Sequence, residues 1–207
     1  ALKTFGEALH KDLLRLSAEI ISAAGEEFNI DSPRQLGNIL FEKMQISSKA
    51  KKTKTGQYAT SEDILQKHKN DHPIVINILE YRQLKKLKST YVDPLPELCD
   101  SIDGRIHTNF MQTVTATGRL SSNHPNLQNI PIRTAKGREI RKAFVPREKT
   151  YQLLAVDYSQ IELRIIAALS DDKSMIEAFQ KGIDIHTATA SKVFKIPVTE
   201  ITRDQRS

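Results

Sequence analysis

Cysteine is almost missing from this chain. Of 207 residues only Cys99 is one, which excludes an internal disulfide and a cysteine-rich zinc site and leaves that side chain the role of a small, partly buried hydrophobe. Long apolar runs are missing too: none approaches the roughly 18 residues a membrane span needs, and no signal peptide opens the chain. There is no internal repeat, and no low-complexity stretch beyond one lysine-rich segment. What is present is 39% hydrophobic and 27% charged residues, the balance of a soluble globular chain long enough for one domain or two small ones. A net charge of +6 admits a polyanionic partner, although charge alone does not name one.

Helical periodicity dominates the first half. Over residues 1–28, Leu9, Leu13, Leu16, Ile20 and Ile21 recur at three- and four-residue steps, and Gly25 is placed to end a helix. Asp31-Ser32-Pro33 predicts a second helix start, with Leu36, Ile39, Leu40 and Phe41 as its apolar face, so the two segments read as an antiparallel pair. Residues 47–60 have no apolar period and read as a loop, with lysines at 49, 51, 52 and 54. Such a run is either a solvated loop or a tip that lies along phosphates, where Ser and Thr hydroxyls such as Thr55 add hydrogen bonds. Thr60-Ser61-Glu62-Asp63 caps another helix, Pro73 opens a longer one carrying Ile74, Ile78, Leu79, Leu84 and Leu87, and Pro94 and Pro96 break regular structure.

The period then changes. Ile106, Thr108, Phe110 and Gln112 alternate with His107, Asn109, Met111 and Thr113 as a strand does, a Gly-, Ser-, Asn- and Pro-rich loop covers residues 116–131, and residues 138–144 and 151–157 read as further strands. Later helices start at Ser170-Asp-Asp, near Asp184 and at Thr199. The whole is organised around Gln152-Leu-Leu-Ala-Val-Asp157, an apolar strand that delivers a carboxylate to a sheet edge before turning into a helix. A carboxylate on a rigid strand suits Mg²⁺, which takes hard oxygen donors in fixed octahedral geometry; an aspartate here equally suits a helix cap.

The octapeptide Asp157-Tyr-Ser-Gln-Ile-Glu-Leu-Arg164 resembles the first metal-binding motif of the family A DNA polymerases, the bacterial DNA polymerase I group. Upstream, Thr115-Ala-Thr-Gly-Arg-Leu-Ser-Ser-Asn-His-Pro-Asn-Leu-Gln-Asn-Ile-Pro131 resembles a second signature of that family, in the family's order and spacing. The resemblance covers nearly the whole chain. It implies an α+β fold: a helical thumb over 1–95 with its basic tip at 47–60, then over 96–207 the first part of an antiparallel-sheet palm with flanking helices.

The same resemblance assigns roles. Asp157 matches the catalytic, metal-bridging aspartate, with the Tyr158 carbonyl as a further Mg²⁺ ligand; the complete enzyme would hold two ions. Ser159, Gln160, Ile161 and Glu162 would line the dNTP pocket, Glu162 filling the space beside the sugar C2′, and His186 matches a histidine near the dNTP phosphates. Arg119 matches an arginine that reaches the minor groove at the primer terminus, where acceptors occur on every base pair. Gln128 and Asn129 would address the same groove, and Arg133 the duplex backbone. Lys49, Lys51, Lys52, Lys54 and Thr55 would grip the product duplex. The implied partners are primer-template DNA and dNTPs, with no membrane, for a monomer in a bacterial cytoplasm at the nucleoid.

Past Ser207 the family continues into a fingers helix and a second metal-binding aspartate, and proofreading and 5′-nuclease modules can precede such a region. The expectation is a polymerase fragment that binds primer-template but does not polymerise alone. A non-catalytic DNA-binding module is the alternative, which leaves Glu162 without a use. A metal-dependent nuclease would need clustered carboxylates, whereas Asp171 and Asp172 are explained as helix-start residues.

Overall fold

The three- and four-residue spacing of Leu9, Leu13, Leu16 and Ile20 produces one long helix, α1 (Leu2–Ala24), closed by Gly25 in the left-handed region at φ 73°. The computed structural model describes residues 1–48, 50–132 and 134–206, the side chains of Arg203 and Asp204 excepted. Ser32 then caps α2 (Pro33–Gly37), its hydroxyl accepting from the Gln35 amide at 3.4 Å, and a π-helical turn (Asn38–Lys43) buries Ile39, Leu40 and Phe41. Next come α3 (Glu62–Lys67) and α4 (Pro73–Leu87), which starts at His72 with the ring accepting from the Ile74 amide at 3.1 Å.

The main partner of α1 is α4, not the 31–41 segment expected from the sequence. Glu19 accepts from Asn77 near one end of α1, while Gly6 faces Val92 near the other, so the two helices run antiparallel. The larger apolar face decides the pairing: α4 buries Ile74, Val75, Ile78, Tyr81, Leu84 and Leu87. Each fully buried Leu or Ile in such a core contributes about 1.5–3 kcal/mol. Beyond α4 a second π-helical turn (Lys88–Val92) leads into α5 (Pro94–Glu97), so the prolines form a short helix instead of ending regular structure. Pro94 sits at the first helical position, where its missing N–H costs nothing. Cys99, just beyond, is exposed rather than partly buried.

Strand structure is smaller than the alternation suggested. β1 (Asn109–Met111) pairs antiparallel with β2 (Ser121–Asn123), which emerges inside the segment read as a loop. The strand expected over 138–144 is instead α6 (Ala135–Arg141), because Thr134 caps it and Ala, Lys, Arg and Glu are strong helix formers. Its single large apolar residue, Ile140, is buried in the core, and Lys136 reaches Asp12 at 2.7 Å to fasten α6 to α1.

The chain divides into two compact units, Ala1–Arg147 and Glu148–Ser207; the subdivision read near residues 90–100 lies inside the first. In the second unit, the expected buried strand over 151–157 has no regular structure and is exposed, Leu154 at 89% and Val156 at 85%. A strand needs a neighbour to take its N–H and C=O groups, and among the described residues no strand stands beside it. Helices follow: α7 (Ile161–Ser170), α8 (Lys173–Gln180) capped by Asp172, α9 (Ile185–Phe194), a 3₁₀ turn (Val198–Glu200) and α10 (Arg203–Arg206). Thr199 lies in the 3₁₀ turn; capping of the last helix falls to Thr202, whose hydroxyl accepts from the Gln205 amide.

Asp184 holds this unit together. Its carboxylate accepts from the Thr187 amide and hydroxyl (3.0 Å each), from Arg206 Nε (2.9 Å) and Nη2 (3.0 Å), and from Gln160 Nε2 (2.6 Å). The Arg206 guanidinium, helped by the Thr187 donors, holds its carboxyl well below the usual carboxylate range. A carboxyl depressed in the folded state stabilises above its unfolded value, and that stabilisation is lost as pH falls below about 4.

Two outcomes test this packing. A Cβ at Gly37 would meet Tyr58 Cβ at 2.8 Å, so Gly37→Ala should lower stability by about 1–3 kcal/mol in denaturant unfolding, although alanine is the better helix former; a gain would contradict the seating of Tyr58. Asp184→Asn keeps a capping side chain but loses the anion, and should cost about 1 kcal/mol at pH 7. The gap from wild type should shrink as pH drops below about 4; an equal gap at both pH values would refute the ionic role.

Candidate nucleic-acid interface and nucleotide site

The lysine-rich segment is a bridged turn, not an open loop. Lys52 and Tyr58 form an antiparallel bridge, the Thr53 amide donates to the Gln57 carbonyl at 2.7 Å, and Gly56 turns the chain at φ 79°. Lys51, Lys52, Lys54 and Thr55 are all exposed on it, and the Lys52 ammonium lies 4.7 Å from the Tyr58 ring centre. At its foot, Tyr58 packs on Phe41 at 5.3 Å, and Arg82 donates to the Thr60 carbonyl and, at 3.3 Å, to its hydroxyl. Lys49 and Arg133, both expected to contact DNA, lie outside the described residues.

A second group of polar side chains in the same unit is presented by the loop after β2. Leu127 and Ile130 pack against the core, which leaves Asn126, Gln128 and Asn129 exposed. Buried Ser122 accepts from the Leu127 amide at 3.1 Å, while the Thr108 hydroxyl lies 2.7 Å from both Ser122 Oγ and the Pro125 carbonyl. Gln128 Nε2 donates to the Leu120 carbonyl at 3.2 Å, which brings Gln128 beside the Arg119 segment; the Arg119 carbonyl in turn accepts from the Thr115 hydroxyl. Asn126, not singled out in the sequence, shapes this turn by accepting from the Gln128 amide. Its two-residue spacing from Gln128 is the signal that could have found it. Other cations of the region are engaged within the protein, Lys136 with Asp12 and Glu80 and Lys142 with Glu139.

In the second unit, Asp157 and Tyr158 are exposed in irregular chain, with Tyr158 at 80%. Gln160, in the left-handed region at φ 54°, starts α7, placing Ile161 and Glu162 in its exposed first turn. The Ser159 carbonyl accepts from Arg164 Nε at 2.9 Å, and the Arg164 guanidinium stacks 4.4 Å from the Phe179 ring centre on α8. Through Asp184, Gln160 is tied to the start of α9, where His186 is exposed at the second helical position. Asp184 is therefore a helix cap, as its place before the helix predicted. Among the described residues no three His, Cys, Asp or Glu side chains converge on a cation site, and no helix is long and apolar enough to cross a membrane.

Known proteins resemble this chain along its whole length. DNA polymerase I of Geobacillus stearothermophilus is 50% identical over 99% of the chain, which covers 23% of that protein. DNA polymerase I of Lactococcus lactis is 54% identical over 96% of the chain and 22% of its own length. The chain thus spans about a quarter of these relatives. Among solved structures, the POL domain of Pol1 from M. smegmatis, in complex with DNA primer-template and dNTP, superposes with a TM-score of 0.87 at 45% identity, over 99% of this chain and 36% of that one. Because the family profile also matches residues 1–207, end to end, the chain belongs to DNA polymerase family A.

Proposed function

We propose that this chain is part of a template-directed DNA polymerase, in which it grips the primer-template duplex and supplies one side of the nucleotide site. The observation that carries the reading is identity of about one half to DNA polymerase I over nearly every residue, motif blocks included. The exposed lysines of the tip neutralise phosphates. Arg119, Gln128 and Asn129 donate to minor-groove acceptors, which all base pairs share, so they sense geometry rather than sequence. A bacterial cytoplasmic setting rests on the organisms of the relatives.

In the second unit, Glu162 takes the place beside the sugar C2′, where a ribonucleotide's hydroxyl would clash. His186 faces the phosphates, with Ser159, Gln160 and Ile161 completing the pocket wall. Asp157 is an exposed hard-oxygen donor of the kind Mg²⁺ takes, and the Tyr158 carbonyl is a second. These two fit one share of a magnesium site, but the described residues bring no cluster that would hold two ions. When bound, such ions stabilise the attacking and leaving oxygens of nucleotidyl transfer. The activity proposed is that of the polymerase as a whole, to which this chain contributes duplex binding and part of the nucleotide site. A purely DNA-binding module would share the tip and the Arg119 loop but has no use for Glu162.

Replacing Lys51, Lys52 and Lys54 together by alanine should reduce the slope of log affinity against log salt for duplex DNA by up to about 3, at about 0.9 per phosphate contact. Fluorescence anisotropy across a salt series reads this directly. An unchanged slope would remove the tip from the footprint.

A further inference from the structure

Tyr91 belongs to neither group of side chains described above, yet it joins the helical core to one of them. It lies in the π-helical turn Lys88–Val92 and is only 8% exposed. Its hydroxyl donates to the Asn129 main-chain carbonyl at 2.5 Å, across 38 residues of sequence. The turn itself is held firmly. The Asp93 amide closes a five-residue bond to the Lys88 carbonyl at 3.0 Å, and Lys88 Nζ pairs with Asp93 at 2.6 Å. Val92 packs so closely on α1 that a Cβ at Gly6 would meet its Cγ1 at 3.1 Å. π-Turns of this kind widen a helix locally and recur where a side chain must be aimed.

We propose that Tyr91 is a positioning residue for duplex binding: by fixing the Asn129 carbonyl against the helical core, it sets where the Asn129 amide meets the minor groove. The inference rests on the polymerase reading given above. Leu127 and Ile130 secure the loop by packing, which is tolerant of small rotations, and Ser122 secures its start. A hydrogen bond is directional, and beside the longer 3.5 Å bond from Arg141 Nη1 to the Ile130 carbonyl the Tyr91 hydroxyl is the shorter restraint, on the Asn129 carbonyl itself. Asn129 is exposed, and its main chain is held by the Tyr91 hydroxyl. Amide side chains reading shared acceptors depend on placement within a few tenths of an ångström.

The test uses the complete polymerase containing this chain, as wild type, Tyr91→Phe, Asn129→Ala and the double variant, with a primed-template duplex as the probe. Phenylalanine keeps the ring and its burial and removes only the hydroxyl. Tyr91→Phe should raise the Kd for the primed duplex roughly fivefold and the KM for it in proportion, with kcat at saturation changed less than about twofold. In the Asn129→Ala background the same substitution should add nothing, because the group being positioned is gone. An unchanged duplex Kd for Tyr91→Phe, or the same fivefold loss on top of Asn129→Ala, would overturn the role for Tyr91 while leaving the polymerase reading intact. A wild-type protein that neither binds nor extends the primed duplex would overturn both.

Discussion

The antiparallel contact of α1 with α4 is the constraint on which the first unit depends. The basic tip and the amide-bearing loop are each tied to α4 or to the turn that extends it. The basic tip stands on Phe41 and on Arg82 of α4, which ties Thr60. The amide-bearing loop rests on Leu127, Ile130 and Tyr91. α6 is fixed by Ile140 in the core and by Lys136 between Asp12 of α1 and Glu80 of α4. Rigid backing of exposed polar groups is what recognition by placement requires, since each donor must arrive at the duplex already aimed.

The second unit is organised differently, by a single charged cap. Asp184 gathers Gln160, Thr187 and Arg206, which ties Gln160 of the motif to the start of α9 without a large core. Its apolar residues are largely uncovered: Leu153, Leu154 and Val156 ahead of the motif, and Ile165, Ile166 and Leu169 on α7. The apolar run ahead of the motif has no regular structure, and α7 leaves an apolar face open. The contrast between the units explains why one motif sits on a firm base and the other on an exposed segment.

Much of this was legible in the sequence because it is local. Leucine spacing in α1, the caps at Ser32, Asp172 and Asp184, and left-handed Gly25 and Gly182 each depend on a few neighbouring residues. The motif blocks at 115–131 and 157–164 were legible as strings, and they carried the family. What was illegible is long-range. The choice of α4 over the 31–41 segment as partner for α1, and the Tyr91 bond to Asn129, depend on contacts that no short window contains. The apolar run before Asp157 has the pattern of a buried strand, but a strand's existence is decided by its neighbours and not by its own residues. For residues 138–144, strong helix formers and the Thr134 cap outweighed a loose alternation.

The role proposed for Asp157 is the one on which the polymerase reading turns. Primer extension on a primed template, with Mg²⁺ and all four dNTPs, tests it in the complete polymerase containing this chain, comparing wild type with Asp157→Ala at concentrations where both bind the duplex. Wild type should extend robustly and the variant should lose several orders of magnitude, with duplex affinity retained. Extension by Asp157→Ala at the wild-type rate would contradict it.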